Sequence, residues 1–474
     1  MFLLQLQYEW KHLSRNGAAW LLLLFLGGAM VFGAYNGRQR AARQKQAVQA
    51  LKTAQDEKFA ALEAEADSIV KGLKKMEQWW LDPTNPLTVG LLRKGGGTLV
   101  IEPAPGQALA VGMSDLQPEA YAMLFGGGAA RGSSDYDNPA RLALGAFDLA
   151  FVIVYLLPLF VIALTYNLLS AEREQGTLTL LLSQPVQGRR IFVSKMLARF
   201  VVLSLMATLL FVPSAIWAGI GAGLTAQATG ATLLYGFFWF LMALAVNMLQ
   251  QNSAFNALAC IGAWLLLVVV MPALVNMLAE KVHPVPSRAG YENALRTADI
   301  EFEKMKPAIL DTFYDANPAL ERKPDDAKSP RDWWLEELYL LDIRKAHVAD
   351  IKALYEDKSQ SHADFARKLT VLSPALVLHD YLTGLAGTNR DAQLATQEVL
   401  ESKAQTWLDW FAAKYAADAK LQAADYAAIR SMLEPVQPKQ SEGSSNGLLW
   451  SVIYLTLMAL PLILGRRRQM MAAI

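Results

Sequence analysis

Between residues 200 and 279 the chain contains no Asp, Glu, Lys, Arg or His. A surface helix of a soluble domain keeps a charged or polar face opposite its apolar one, and this run has no charges to build one. A membrane-spanning helix needs roughly 20 apolar residues. At about 1.5 Å of rise per residue, the run is long enough for three crossings. Breaks are expected at residues 219–230, rich in Gly, Ala and Thr, and at Gln250-Gln251-Asn252-Ser253. Residues 16–37, with an apolar centre at 18–32, and residues 149–171 are also free of charge. A last apolar run at 447–465 ends in Arg466, Arg467 and Arg468. The expected count is six spans.

Composition limits how much of the chain can lie in lipid. A length of 474 residues exceeds one compact domain. The 53% hydrophobic content and mean hydropathy of +0.21 are high for a soluble protein but not for one that is membrane throughout. A formal net charge of +1 gives no electrostatic case for a nucleic-acid partner. The single cysteine, Cys260, excludes an intramolecular disulfide, and five scattered histidines beside it make a structural zinc site unexpected.

Arginine and lysine in short loops set orientation. Arg173, Arg189, Arg190, Lys195 and Arg199 flank the loop between the second and third spans, Lys11 and Arg15 precede the first, and Arg466–Arg468 follow the sixth. Six spans put all of these on one side, which is expected to be cytoplasmic together with both termini. Arg38, Arg40, Arg43 and Lys45 oppose this, but they open a long segment, and long segments translocate largely regardless of charge. A signal peptide cleaved near Ala34 is the competing reading of the first run; the run's length and Glu9 in the would-be basic leader argue against it. Before that run, Leu3, Leu6, Trp10 and Leu13 recur at helical spacing opposite Gln5, Glu9, Lys11 and His12, as in a helix lying in the membrane interface; simple extension of the first span is the alternative.

The expected layout is an interfacial helix over 1–15, spans at 16–37 and 146–171, a first outer segment over 38–145, and a loop over 172–195. Three spans within 196–279, a second outer segment over 280–446, a span at 447–465 and a tail over 466–474 complete it. The first outer segment opens with a polar helical run through Trp80, and Thr98–Ile101 and residues 109–111 are candidate short strands. The triplets Gly95-Gly96-Gly97 and Gly126-Gly127-Gly128 lack the Lys-Ser or Lys-Thr of a phosphate loop and read as linkers. The second segment is mainly helical, with a clear helical pattern over 333–353. His379-Asp380 has no nucleophile in a recognisable motif beside it, and His283 before Pro284 reads as a loop residue.

The loop Ser170-Ala171-Glu172-Arg173-Glu174-Gln175-Gly176-Thr177-Leu178 is a charge cluster that cannot sit in hydrocarbon. Gly176 permits a tight turn. Leu178, Leu180, Leu181 and Leu182 form an apolar patch that Pro185 ends, a pattern suited to insertion into a groove on another protein. An interfacial loop that only reconnects two spans fits the physics equally. Pro158, Pro213, Pro272 and Pro461 fall in or near spans, where freed carbonyls permit kinks. Tyr166, Asn167, Asn247 and Gln250 lie near the expected inner ends, where they either line a translocation path or hydrogen-bond between helices.

Residues 167–178, continuing through Leu181-Leu182-Ser183-Gln184-Pro185-Val186 and Arg189-Arg190, resemble the first cytoplasmic loop of ABC-2-type permeases, including those of copper-reductase maturation and gliding-motility systems. A more specific resemblance is to a bacterial subfamily with two large outer segments. Its markers are present as Asp82-Pro83-Thr84-Asn85-Pro86, Phe147-Asp148-Leu149-Ala150-Phe151, and Ser373-Pro374 with Leu385-Ala386-Gly387-Thr388. Gln187-Gly188 departs from relatives that have Ser or Thr before the arginine. The resemblance covers nearly the whole chain. It implies an α-helical polytopic membrane protein of six transmembrane helices (the ABC-2 exporter fold), with a mixed α/β first and a mainly helical second extracytoplasmic segment, in the bacterial inner membrane. It further implies pairing with a second permease copy or paralogue and with two ABC ATPase subunits, where ATP and Mg would be bound. The chain is itself no enzyme, has no Walker-type sequence and calls for no cofactor of its own. Glu172, Arg173, Glu174, Gly176, Thr177, Gln184 and Pro185 are the residues expected to couple the ATPase to the spans. Membrane lipids and an envelope protein are the further partners implied. Export is the leading function; movement of the outer domains without transport, mechanotransmission, is the alternative.

Overall fold

The computed structural model describes residues 2–90, 96–116, 118–124, 128–131, 147–176, 188–318, 320, 323–324 and 328–438. Thr177, Gln184, Pro185, Pro461, the run at 447–465 and the tail lie outside the described residues.

Five helices among the described residues are long and apolar enough to cross a membrane. An amphipathic helix α1 (Phe2–Ser14) leads, through an Asn16 cap, into α2 (Gly17–Val70). α3 (Leu149–Glu174), α4 (Gly188–Trp217), α5 (Ala222–Asn247) and α6 (Ser253–Val282) follow. In α2 the buried residues Leu26, Met30 and Ala34 recur every four positions, while Trp20, Leu21, Leu24 and Phe25 remain exposed. An apolar face left exposed on a charge-free helix is what contact with lipid requires. Beyond its apolar part α2 continues without a break to Val70, where the polar run ends short of Trp80.

The expected break at residues 219–230 is much shorter than its composition suggested. The chain turns at Gly219 (φ +85°) and α5 begins at Ala222, so Gly223 and Gly230 are helical. In hydrocarbon a backbone N–H and C=O must pair within the segment, and that requirement outweighs the poor helix propensity of glycine.

Two of the proline sites are accommodated by widened, π-type turns, Val152–Leu156 before Pro158 and Leu265–Val270 before Pro272. A proline has no N–H for the carbonyls of the preceding turn, and neighbouring side chains take their place. The Tyr235 hydroxyl donates to the Val154 carbonyl at 2.9 Å, Trp264 Nε1 to the Tyr155 carbonyl at 3.3 Å, and Ser373 Oγ to the Leu267 carbonyl at 2.6 Å. Tyr235→Phe strands the Val154 carbonyl in a buried apolar setting. It is expected to destabilise the helix bundle by about 1 kcal/mol, measured by thermal unfolding in detergent.

The two segments expected to be outer ones fold together into one unit, termed the outer domain. α7 (Arg288–Ala316) and α8 (Pro330–Leu369) form a long hairpin, followed by α9 (Pro374–Ala386), α10 (Arg390–Ala416) and α11 (Ala423–Met432). The first segment supplies a small antiparallel sheet, β1 (Thr98–Val100), β2 (Ala120–Leu124) and β3 (Gly128–Arg131), in the order β1-β2-β3 with Thr98 opposite Ala122 and Tyr121 opposite Arg131. Residues 109–111 are not a strand, because their backbone is taken up by turns and by the start of α3. One core joins Phe59, Leu87 and Leu99 of the first segment to Trp334, Trp407, Phe411 and Tyr426 of the second. The Val436 N–H donates to the Val100 carbonyl at 2.9 Å, and Trp407 Nε1 to the Gly90 carbonyl at 2.8 Å. Gly97, read as part of a linker, is closely packed: a Cβ there would lie 2.6 Å from the Leu433 side chain.

This domain sits on the spans through α9, whose Ala375, Leu378, Tyr381 and Leu382 belong to the same core as the membrane helices. The backbones meet closely. A Cβ at Gly37 would lie 2.3 Å from the Ala108 carbonyl oxygen, and one at Gly106 would lie 2.4 Å from Ala386 Cα. Asp148 caps α3 by accepting from Phe151 N at 2.7 Å and holds the neighbouring loop by accepting from Val111 N at 2.8 Å. Thr388 Oγ1 donates to the Ala110 carbonyl at 2.9 Å. Two of the three subfamily markers thus build the joint between domain and spans. His379-Asp380 lies in the same region, where burial pushes the Asp380 carboxyl up and the Arg367 guanidinium opposes the shift. His283 packs its ring on Phe365.

Candidate functional site

The site forms at the end of the bundle away from the outer domain. There α3 ends in a turn over residues 166–169 and one further helical turn, Ser170–Glu174. Two backbone bonds close it, Gln175 N to the Ala171 carbonyl and Gly176 N to the Arg173 carbonyl. Gly176 then adopts φ +71°, a left-handed conformation that glycine enters without a Cβ penalty.

The three charged residues of this turn reach three different elements. Glu172 pairs with Lys195 of α4. Arg173 donates to the Gln250 carbonyl and, at 2.6 Å, to the Gln251 carbonyl. Glu174 accepts from Ser253 N at 2.7 Å and from Ser253 Oγ at 2.8 Å. Helix electrostatics explains the order of the charges. The chain beyond the C-terminus of α5 presents carbonyls, which attract a cation, and the N-terminus of α6 presents N–H groups, which attract a carboxylate. Gln250 holds φ +57°, unusual for a side chain of its kind, and so turns the chain between α5 and α6 into this position.

Beneath the charged layer lies a buried polar one. Asn247 donates from Nδ2 to the Thr165 carbonyl at 3.1 Å and to the Ala243 carbonyl at 2.8 Å, and its Oδ1 accepts from Leu169 N at 3.2 Å. Asn256 donates to the same oxygen at 3.4 Å, and Ser170 Oγ bonds Ser253 Oγ at 2.8 Å. α1 is tied in by a buried ion pair. Glu9, 1% exposed, accepts from Arg199 Nε at 2.5 Å, and Arg199, 7% exposed, also donates to the Leu164 carbonyl at 3.0 Å. Burial, and next the Arg199 guanidinium, hold the neighbouring His12 below the usual imidazole value.

The structure therefore brings Glu172, Arg173, Glu174 and Gly176 together with Asn247 and Gln250 around one short turn. Asn247 is a cross-link between α3 and α5. Asn167 contributes its carbonyl to Ala171 N at 3.0 Å, and Tyr166 packs half-buried against the membrane core. Sequence reasoning assigned no such role to Glu9, Lys195, Arg199, Gln251 or Ser253. The signals were a lone acid on an amphipathic helix and two cations four residues apart at the start of an apolar one. Mechanically, a displacement of 170–176 acts at once on α4, α5 and α6.

A sequence profile described as ABC-2 family transporter protein matches residues 6–413. The chain is 28% identical over 155 residues to a probable ABC transporter permease protein, NosY, of Pseudomonas aeruginosa. That match covers 30% of this chain and 54% of the relative, so the chain spans about half the length of this relative. No solved structure matches.

Proposed function

The chain belongs to the ABC-2 family of transporter proteins, and from that premise we propose that it is the membrane subunit of an ATP-driven exporter, coupled to a separate ATPase through residues 170–185. The observation that supports this reading best is the division of Glu172, Arg173 and Glu174 among α4, the α5–α6 connection and the start of α6. A turn anchored in that way carries a push from outside the membrane into the bundle, whereas a loop that only reconnects two spans needs no such anchors. Thr177, Gln184 and Pro185 complete the proposed docking segment. ATP and Mg would be held by the partner, and a second permease copy or paralogue completes the assembly.

In this reading residues 447–465 form the sixth span, the loop end and both termini face the cytoplasm, and the joined outer segments lie outside the inner membrane. Mechanotransmission is the second reading. It draws on the joint at Gly37, Gly106, Asp148 and Thr388, which links the outer domain stiffly to the spans.

Coexpression of the chain with an ABC ATPase from a neighbouring gene tests the proposal. The expected result is a complex whose ATPase rate is raised by this chain, with ATP-dependent uptake of substrate into inverted vesicles. ATPase stimulation without uptake would transfer the assignment to mechanotransmission. Absence of any complex would overturn both readings.

A further inference from the structure

The third subfamily marker, Asp82-Pro83-Thr84-Asn85-Pro86, is not at the joint. It lines a cleft of about 400 Å³ in the outer domain, opposite the start of α8 and the chain leaving α10. Three distant stretches are pinned together there. Leu421 N donates to the Thr84 carbonyl at 2.7 Å, the Tyr426 hydroxyl to the Pro83 carbonyl at 2.8 Å, and Arg331 pairs with Asp418 at 3.0 Å across the wall. Asp418 holds φ +53° directly after the helical turn, which swings Lys420 onto the lining.

The lining is chemically two-sided. Trp79 and Tyr415 supply aromatic surface, and burial pushes the Tyr415 phenol up to about 12, so it stays a neutral O–H. Asp82 uses Oδ1 for Thr84 N and Thr84 Oγ1, at 2.9 and 2.7 Å, and its Oδ2 has no partner among the described residues. The Lys420 side chain likewise has no ion pair or hydrogen bond among the described residues. The Arg331–Asp418 pair is solvent-exposed, and such pairs are weakly held, so an incoming anion competes readily for the guanidinium. Two carboxylates and two cations leave the wall without net charge, which disfavours a ligand of a single sign.

We propose that this cleft binds a short peptide-like zwitterion, its ammonium group at Asp82 beside the Trp79 face and its carboxylate at Lys420 and Arg331. The volume lies within the range of small-molecule sites. An ammonium group over an aromatic face is favourable, and a carboxylate gains charge-assisted bonds from Lys and Arg. This inference goes beyond the proposed function, since the cleft is far from the turn at 170–176 and its occupancy needs no ATPase.

Calorimetric titration of the detergent-purified full chain with Ala-Ala-Ala tests it. Saturable binding is expected, weakened about tenfold by Lys420→Ala and by Asp82→Asn, each removing about one charge-assisted contact. Asn at position 82 retains the oxygen that caps Thr84, and an unchanged melting temperature checks that both variants fold. N-acetyl-Ala-Ala-Ala-amide, lacking both charges, is expected to bind at least about tenfold more weakly. No binding of the free tripeptide, equal binding of the capped one, or indifference to both substitutions would overturn the proposal. Saturable binding of maltotriose in place of the peptide would reassign the cleft to carbohydrate. Each of these results leaves complex formation with an ATPase untouched, so the two ideas fail separately.

Discussion

Glu174→Ala is expected to lower stimulation of the partner ATPase on the order of tenfold, within the usual range for coupling between sites, while leaving the complex intact. Glu174 is a positioning residue: its carboxylate accepts from both Ser253 N and Ser253 Oγ at the start of α6. Alanine removes both bonds at once and leaves α6 tied to the turn only through the Ser170–Ser253 hydroxyl pair, so the turn can still meet a partner but carries α6 less firmly. Glu174→Gln keeps an acceptor without the charge and should fall between the two. Arg173→Ala should act in the same direction through the Gln250 and Gln251 carbonyls. Because the site is exposed, salt should shrink the effect of the charge. The decisive measurement separates affinity from coupling. Pull-down efficiency should stay near wild type while the chain's stimulation of ATP hydrolysis drops. Wild-type stimulation in Glu174→Ala would remove the turn from the coupling path.

The second large effect concerns Glu9 and Arg199. Either residue replaced singly by alanine leaves a charge buried without its partner, which typically costs about 3–5 kcal/mol. Replacing the pair with apolar residues of similar size, Glu9→Leu with Arg199→Met, removes both charges and should recover most of that loss. Thermal unfolding in detergent of Glu9→Leu, Arg199→Met and the two combined closes the cycle: the double variant is expected to melt well above either single one. If the losses simply add, the two side chains do not act as a pair and α1 is held by its apolar face alone. The Leu164 carbonyl, which also accepts from Arg199, makes Arg199→Ala the more damaging of the two.

The spans were legible because charge cannot be hidden in hydrocarbon. A run from Phe200 to Ala279 without an ionisable group leaves few options, and α5 and α6 lie where it requires them. The extent of the breaks was less legible. Gly223 and Gly230 look like loop residues locally, yet the bilayer forces their backbone to bond within a helix. The charged turn was found from its composition, and Gly176 ends it as a glycine should. Its three partners were not found, since Lys195, Gln250 and Ser253 are up to 79 positions away and nothing local encodes which helix end faces which charge.

The outer region shows the same division. The helix over residues 333–353 was evident from its pattern, although α8 runs well past it at the C-terminal end, to Leu369. That the two outer segments share a core was not evident: Val436 meets the end of β1 only as an isolated bridge, donating to the Val100 carbonyl, and the period of a strand does not name its partner. The markers Asp82–Pro86, Phe147–Phe151 and Leu385–Thr388 could be recognised in sequence but not interpreted. Their roles depend on contacts with distant backbone: the two at the joint on approaches close enough to exclude a Cβ, the one at the cleft on bonds from Leu421 and Tyr426.

By itself the sequence determined which stretches are apolar and charge-free enough to cross a membrane, because solvation of charge acts residue by residue and is readable along the chain. Only the tertiary structure decided that Glu172, Arg173 and Glu174 reach α4, the α5–α6 connection and the start of α6 respectively, that Glu9 meets Arg199, and that two separated outer segments form one domain. Those outcomes depend on direction and distance between elements, and packing fixes both only after the helices are assembled.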